Sequence, residues 1–347
     1  MDNNGNAIIV WQQSDGANYQ IFKSEYRNGI WTNPANLSDN ISPNGTDAYY
    51  PQVAMDDNGN AIIVWFQRDT DMNFQIFKSE YRGGVWTNPS SITDYISLDG
   101  QQAVLSMAAI DNNGNAIIVW RQNDGANDQI FKSEYRSGVW HNPASLSDHI
   151  SISGQDAGDP HVTMDNNGNA IIVWRQNDGA NLQIFKSEYR SGTWHNPTSL
   201  SDHISPNGQD AAEWPPQVAM DDNGNAIIVW DQSDGANDQI FKSEYRSGTW
   251  HNPASLSDNI SPNGQDAELP QVAMDDNGNA IIVWDQYISN GGLRQIFKSE
   301  YRSGTWHNPA NLSNYISLNG QDANDPHVAM NNSGNAIIVW GQSDGSN

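Results

Sequence analysis

The sequence predicts an all-β chain, a six-bladed β-propeller of four-stranded antiparallel blades, and three observations lead there. The hexapeptide Asn-Ala-Ile-Ile-Val-Trp recurs seven times, ending at Trp11, Trp65, Trp120, Trp174, Trp230, Trp284 and Trp340. Successive copies lie 54 to 56 residues apart, and a fixed period of this kind marks a repeat architecture. Within each copy, short β-branched and aromatic runs alternate with Gly, Asn and Pro clusters, the pattern of strands joined by turns. Finally, one such unit has apolar side chains on both faces of a small sheet and cannot cover them itself. Radial stacking of four-stranded sheets supplies the missing neighbours.

The copy from Pro51 to Gly100 shows how each element is read. Gln52 to Asp56 alternates, with Val53 and Met55 on one side, as a first short strand does. Asp57-Asn58-Gly59-Asn60 follows, and Asn-Gly is a strong hairpin signal because both residues tolerate positive φ. Ala61 to Trp65 is apolar throughout and rich in β-branched residues, which favours a strand covered on both faces over a helix. A polar loop from Gln67 to Asn73 leads to a third strand, Gln75 to Arg82, on which Phe77 and Tyr81 share a face. Gly83-Gly84 turns the chain. Val85-Trp86 starts a fourth strand, which Pro89 ends because proline cannot donate to a ladder. A polar connection from Ser90 to Gln102 reaches the next copy.

The repeat units fall at 1–50, 51–104, 105–159, 160–215, 216–269 and 270–326, with a partial copy at 327–347. The chain begins just before a second strand and ends just after one. Six blades close if the strand from His327 to Met330 completes the N-terminal blade. Ala7–Trp11 and Ala336–Trp340 then compete for one slot, so a seven-bladed ring with an incomplete blade and an oligomer formed by exchange of the duplicated strand are the alternatives.

The charge narrows the partners. With 41 acids against 16 bases the net charge is −25, which disfavours nucleic acid and anionic membrane surfaces. Twelve of the bases are the same Lys and Arg in each copy, as at Lys78 and Arg82. The absence of cysteine excludes disulfides and thiolate chemistry. No run of 18 apolar residues spans a bilayer. The acidic, Asn- and Asp-rich, cysteine-free composition points to a secreted or cell-surface bacterial protein.

The turn between third and fourth strands, Ser187-Glu188-Tyr189-Arg190-Ser191-Gly192-Thr193-Trp194, resembles a degenerate Asp-box, the Ser-x-Asp-x-Gly-x-Thr-Trp hairpin of BNR-repeat, sialidase-like propellers. The following Asn196 to Ser201 is similar to that family's blade ending. The serine-to-tryptophan spacing matches. The box aspartate is replaced by tyrosine, and the glycine is displaced by one residue. The resemblance implies a propeller in which the box is a structural hairpin on the face away from the ligand. A sialidase would need three arginines converging on a carboxylate. The fixed Arg27, Arg82, Arg136, Arg190, Arg246 and Arg302 stand one per copy and cannot converge, so no catalytic residue is assigned and the chain is expected not to be an enzyme.

Comparison of the copies with one another locates the candidate site. Differences gather after the second-strand tryptophan (Gln12, Phe66, Arg121, Arg175, Asp231, Asp285, Gly341), before the third strand (Tyr19, Phe74, Asp128, Leu182, Asp238, Arg294) and before the first strand (Tyr49-Tyr50, Val104-Leu105, Gly158-Asp159, Glu213-Trp214, Glu268-Leu269, Asn324-Asp325). In a four-stranded blade these spots share one rim. Drift in unconstrained loops gives the same pattern, but exposed aromatics cost solubility and supply stacking surfaces. The expected ligand-binding residues are therefore Trp214, Tyr49, Tyr50, Arg121, Arg175, Asp231, Asp285 and Arg294, with the fixed glutamine of each copy beside them. No metal site is assigned; the Asp234 and Asp238 loop is a weak Ca²⁺ candidate, and the Asp-Asn-Asn-Gly-Asn turns are weaker still because they lack a terminal acidic ligand. His141, His195, His251 and His307, one per copy, are expected at the surface.

The sequence thus favours a non-enzymatic recognition propeller that binds carbohydrate multivalently through its variable rim, since repeated sites raise avidity. The alternatives are a structural or protein-interaction module, or an engineered symmetric propeller without ligand, and a sialidase-like glycoside hydrolase.

Overall fold

The computed structural model describes residues 1–211 and 214–345. Its described residues form strands and turns with no helix, arranged as seven antiparallel sheets of two to four strands. The chain divides into two compact units, Met1–Ala170 and Ile171–Asn347.

In the first unit, β4 (Ala48–Met55), β5 (Ala61–Arg68), β6 (Phe74–Arg82) and β7 (Val85–Thr87) form one meander in sequential order. The preceding sheet is β1 (Ala7–Ser14), β2 (Tyr19–Arg27) and β3 (Ile30–Thr32), and the following one runs β8 (Ala103–Ile110) to β11 (Val139–His141). A further meander runs β12 (Ala157–Met164) to β15 (Thr193–His195). In the second unit, β16 (Gln217–Met220) to β19 (Thr249–His251) and β20 (Ala267–Met274) to β23 (Thr305–His307) repeat it, and β24 (Ala323–Met330) pairs β25 (Ala336–Gln342).

Consecutive sheets pack face to face. Ile62, Val64 and Ile76 of one sheet meet Ile118, Trp120 and Phe131 of the next in a single buried cluster. In the second unit Ile227, Val229 and Ile240 meet Ile282, Trp284 and Phe297 in the same way. The continuous apolar run Ala-Ile-Ile-Val-Trp is explained by this arrangement, because alternate residues face different neighbouring sheets. The outermost copies differ. Ile9, Ile337 and Val339 are 52%, 70% and 55% exposed, whereas their counterparts Ile63, Ile281 and Val283 are buried.

The hairpin after the first strand is held by aspartate rather than by asparagine in positive φ. Asp56 Oδ1 accepts the amides of Asn58 and Asn60 at 2.9 and 2.8 Å, and Oδ2 accepts Asn60 Nδ2 at 2.7 Å. Only Gly59 takes positive φ, at 82°, as in a type I turn closed by a left-handed glycine. Asp111, Asp221 and Asp275 repeat the arrangement. The oxygens considered above as cation ligands are committed to these turns.

Successive turns are stitched together. Asp57 N donates to Asn112 Oδ1 at 2.9 Å, and Asn112 Nδ2 returns a bond to Asp57 Oδ2 at 2.8 Å. In the second unit the matching residues are both acidic, with Asp222 N donating to Asp276 Oδ1 at 3.4 Å. Burial and the neighbouring Asp222 carboxylate push Asp276 above the ordinary carboxylate range. A raised folded-state pKa means that this group's contribution is lost as pH rises through it. Asp276→Asn restores the reciprocal pair seen at Asn112, and is expected to stabilise the protein at pH 7 by about 0.5–1 kcal/mol. The gain should shrink at pH 3 in thermal melts; equal melting of variant and parent at pH 7 counts against the repulsion.

A second stitch runs between third and fourth strands of adjacent sheets. Glu80 Oε1 accepts Trp140 Nε1 at 2.7 Å, and Arg82 Nε donates to Glu80 Oε2 at 2.8 Å. Lys78 also pairs Glu80 and sits 4.7 Å over the Trp140 ring, while Arg82 lies 3.9 Å over Tyr135. Burial raises the Glu80 pKa, but Lys78, Arg82 and Trp140 outweigh it and hold the carboxyl below its usual range. Glu188 and Trp250 repeat the contact at 2.6 Å. The fixed Lys, Glu and Arg are thus fasteners between sheets. His141, His195, His251 and His307 are exposed beside them.

Candidate functional site

The structure starts the first strand earlier than the sequence suggests. Ala48 to Pro51 belongs to β4, and a β-bulge between Tyr49 and Gln52 absorbs the variable residues. At each bulge one residue takes left-handed φ: Tyr50 at 53°, Leu105 at 58°, Asp159 at 53°, Leu269 at 54° and Asp325 at 52°. Bulky residues rarely adopt this conformation. Pro51 and Pro270 follow directly, where a bulge tolerates the missing donor. The freed amide of the left-handed residue is taken by the residue after the preceding copy's tryptophan: Tyr50 N donates to Gln12 Oε1 at 2.8 Å and Asp325 N to Asp285 Oδ2 at 3.3 Å. The variable positions of neighbouring copies are therefore in contact.

The fixed glutamine does not belong to the rim. Gln67, Gln122, Gln176, Gln232 and Gln286 are buried. Gln67 Oε1 accepts Trp65 Nε1 at 3.1 Å, and Gln67 Nε2 donates to Pro43 O at 2.6 Å. β5 extends to Arg68, and within it Gln67 satisfies the indole and the connection that precedes β4 together.

Asp285 and Arg294 come together in the second unit. β21 (Ala280–Tyr287) and β22 (Arg294–Arg302) pair Tyr287 with Arg294. Arg294 Nη1 donates to Asp285 Oδ1 at 3.1 Å, and Nη2 to Glu268 Oε2 at 2.8 Å. The guanidinium lies 4.5 Å over the Tyr287 ring and also hydrogen bonds that residue. Asp285 is fully buried, and burial pushes its carboxyl up to about 6 despite the opposing pull of Arg294. Burial works against the Arg294 charge too, but Tyr287, Asp285 and Glu268 more than offset it and hold the guanidinium protonated. Asp285 bears the desolvation because it is sealed in, while Arg294 keeps partial contact with water.

The connection between β21 and β22, Ile288 to Leu293, has six residues, against five at 69–73 and four in the other copies. Ile288 N donates to Leu293 O at 3.1 Å and Gly292 N to Ser289 O at 2.9 Å. A Cβ on Gly292 would stand 2.0 Å from Ser289 Oγ and 3.0 Å from Ser289 O, so a side chain there would turn the Ser289 hydroxyl aside and crowd its carbonyl. This loop walls a cleft of about 580 Å³ lined by Asn237, Asp266, Tyr287, Asn290, Arg294, Asp322 and Asn324, among others. Asp322 Oδ1 accepts the Arg294 amide at 2.9 Å, and Asp266 Oδ1 accepts Asp238 N at 3.0 Å, which orients both carboxylates. Tyr287, Asp266 and Asp322 were not expected at the site, and Glu268 was marked only as a variable rim position; the length of the 288–293 connection was the available signal.

The other expected residues are placed separately. Arg121 Nε lies 3.5 Å from Asp128 Oδ2, each about one-third exposed. Trp214 is 37% exposed, and its amide donates to Asp231 Oδ1 at 3.4 Å; Asp231 is itself buried. Glu213 lies outside the described residues. Arg175 is partly buried after Trp174. Asp234 Oδ1 accepts the amides of Ala236 and Asn237 at 2.8 and 2.9 Å, a turn-capping role. Among the described residues no group of three or more His, Asp or Glu is arranged to hold a metal ion. Tyr49 and Tyr50 lie in the first unit, within an aromatic cluster.

No family model and no curated protein matches the sequence. Solved structures do match. One is a polysaccharide lyase described as a PL25 ulvan lyase, at 11% identity over 99% of this chain and 89% of that one, with a TM-score of 0.59. Polysaccharide lyase Uly1 matches at 9% identity over 93% and 82%, with a TM-score of 0.53. The chain is built as β-propellers are. At these identities the likeness is one of fold. It agrees with the four-stranded blades and carries no residue of either protein's site across. No helix of the described residues is long and apolar enough to cross a membrane.

Proposed function

We propose that this chain is a carbohydrate-recognising propeller without catalytic function, and that the cleft beside Arg294 takes a neutral saccharide. The observation that carries the reading is the cleft itself. Its volume lies in the range of small-ligand sites, and its wall combines an aromatic ring, side-chain amides, oriented carboxylates and an arginine locked on three sides. Hydroxyl-rich ligands suit such mixed donors and acceptors. Glu268, Asp266, Asp285, Asp322 and Asp325 outnumber the one cation, which disfavours uronic, sialic or sulfated sugars. The known propellers of like fold named above are polysaccharide lyases, which is consistent with a polysaccharide-facing rim. The non-catalytic part of the reading is supported by Asp285, whose carboxylate is sealed against Arg294 instead of being presented to the cleft. Because the copies differ at the rim, the sites on this reading are unlike one another, and a repeated identical pocket is not part of it.

Titration calorimetry against neutral and acidic oligosaccharides tests this. A neutral ligand should bind and lose affinity in Arg294→Ala; binding confined to acidic glycans, or to none, ends the reading. The pH dependence is set by Asp285. Its folded pKa of about 6 lies above the ordinary 3.8, so its contribution to stability is full below 3.8 and lost as pH rises through 6. The ionised form clamps Arg294, so affinity should instead climb between pH 5 and 7. Asp285→Asn should flatten that climb. A wild-type affinity that is flat from pH 5 to 7 contradicts the clamp.

A further inference from the structure

The first unit carries a group of aromatic side chains at the edge of the core: Phe66 is buried in it, Tyr49 and Phe74 pack against it, and Tyr19 and Tyr50 stand exposed beyond it. Tyr19, Tyr49, Tyr50, Phe66 and Phe74 come from variable positions of two adjacent copies and meet as one cluster. Tyr50 stacks on Phe66 at 5.4 Å and 22°, Tyr49 meets Tyr19 at 5.6 Å, and Phe66 meets Phe74 edge-on at 5.1 Å. Arg68 lies 4.2 Å over Phe74 and donates to Met72 O at 2.7 Å, closing one side. Tyr50 and Tyr19 remain 63% and 45% exposed. Their backbones are fixed, by Gln12 at the Tyr50 amide and by Asp47 Oδ1 at the Tyr19 amide, both 2.8 Å.

We infer that this cluster is a second saccharide site, which binds the apolar face of pyranose rings in a neutral glycan by stacking on Tyr50 and Tyr19. Three features select that occupant. The rings are held rigid from beneath, so little side-chain freedom is lost on binding. Tyr50 is held outward in a left-handed conformation that costs energy at a bulky residue. The exposed ring area, on the order of 200–300 Å² for the two tyrosines, falls well short of the roughly 800 Å² per partner of a stable protein interface. It suits one or two sugar rings. Asp47, which also hydrogen bonds Tyr49, and Arg68 stand at its edge as polar partners for ring hydroxyls.

The inference rests on the carbohydrate reading above but uses different residues, so the two can fail separately. The full chain is titrated with neutral hexasaccharides of β-1,4-glucan, xylan, mannan and chitin type and of α-1,4-glucan. At least one should bind about tenfold more weakly to Tyr50→Ala and measurably more weakly to Tyr19→Ala. Tyr50→Phe should stay within about twofold of the parent, because the ring face and not the hydroxyl is used. The same weakening should appear when Tyr50→Ala is made in the Arg294→Ala background, where the cleft no longer contributes, and melting temperatures should confirm that the variants fold. If no hexasaccharide binds, or if Tyr50→Ala and Tyr19→Ala bind every one as the parent does, the assignment is wrong and the patch faces a protein. If every ligand that binds is lost in Arg294→Ala and kept in Tyr50→Ala, this site is overturned and the cleft stands.

Discussion

Trp120→Ala is expected to lower stability by about 3–5 kcal/mol, read as a fall in the urea midpoint with little change in slope. Trp120 is fully buried between two sheets and stacks on Phe131 at 6.2 Å and 17°. Its indole nitrogen donates to Gln122 Oε1 at 3.1 Å. Alanine would leave a cavity that rigid strands cannot close; Gln122 would lose the indole but keep its two bonds to Leu98, from Leu98 N to Oε1 at 3.2 Å and from Nε2 to Leu98 O at 2.5 Å. Trp31→Ala is the control. Trp31 occupies a fourth strand and is 45% exposed, so its loss should cost less than about 1 kcal/mol. Similar costs at both positions would show that the repeated Ala-Ile-Ile-Val-Trp strand does not carry the core.

Arg294→Ala is expected to weaken saccharide binding at the cleft by about 10- to 100-fold, the loss of one charged hydrogen-bonding partner. The same change should destabilise the fold by about 3 kcal/mol or more, because Asp285 is left buried beside no cation. The two effects are separable. Arg294→Ala combined with Asp285→Asn removes the stranded charge, so melting should recover while binding does not. Recovery of both would reduce Arg294 to a structural role, and an unchanged affinity in the single variant would remove it from the site.

Much of the fold was legible because it is repeated. A continuous apolar strand, an Asp-Asn-Gly turn and a Trp-x-Asn-Pro ending recur with the same spacing, and each has a local physical meaning. The fixed third-strand charges were also readable as ion pairs from their alternation. The bulge was not. Tyr49-Tyr50 looks like loop because Pro51 follows, and nothing local says that a left-handed residue can be carried inside β4. The buried glutamine was misread for a related reason. Gln67 is polar and follows an apolar run, but its partners Pro43 and Thr46 lie more than twenty residues away. The rim followed the same division. Asp285 and Arg294 could be singled out because they differ between copies. That Asp285 is sealed in as the counter-charge of Arg294, and that Glu268 and Tyr287 join them, depends on contacts between strands.

The sequence by itself determined the blade, since its strands and turns are set by side-chain periodicity and by turn residues that act within a few positions. It also marked where the copies diverge. Only the tertiary structure decided which polar groups are buried and which face a ligand. That choice depends on what the next strand and the next sheet place opposite each side chain, and desolvation, unlike turn geometry, is a property of the packed neighbourhood rather than of the local chain.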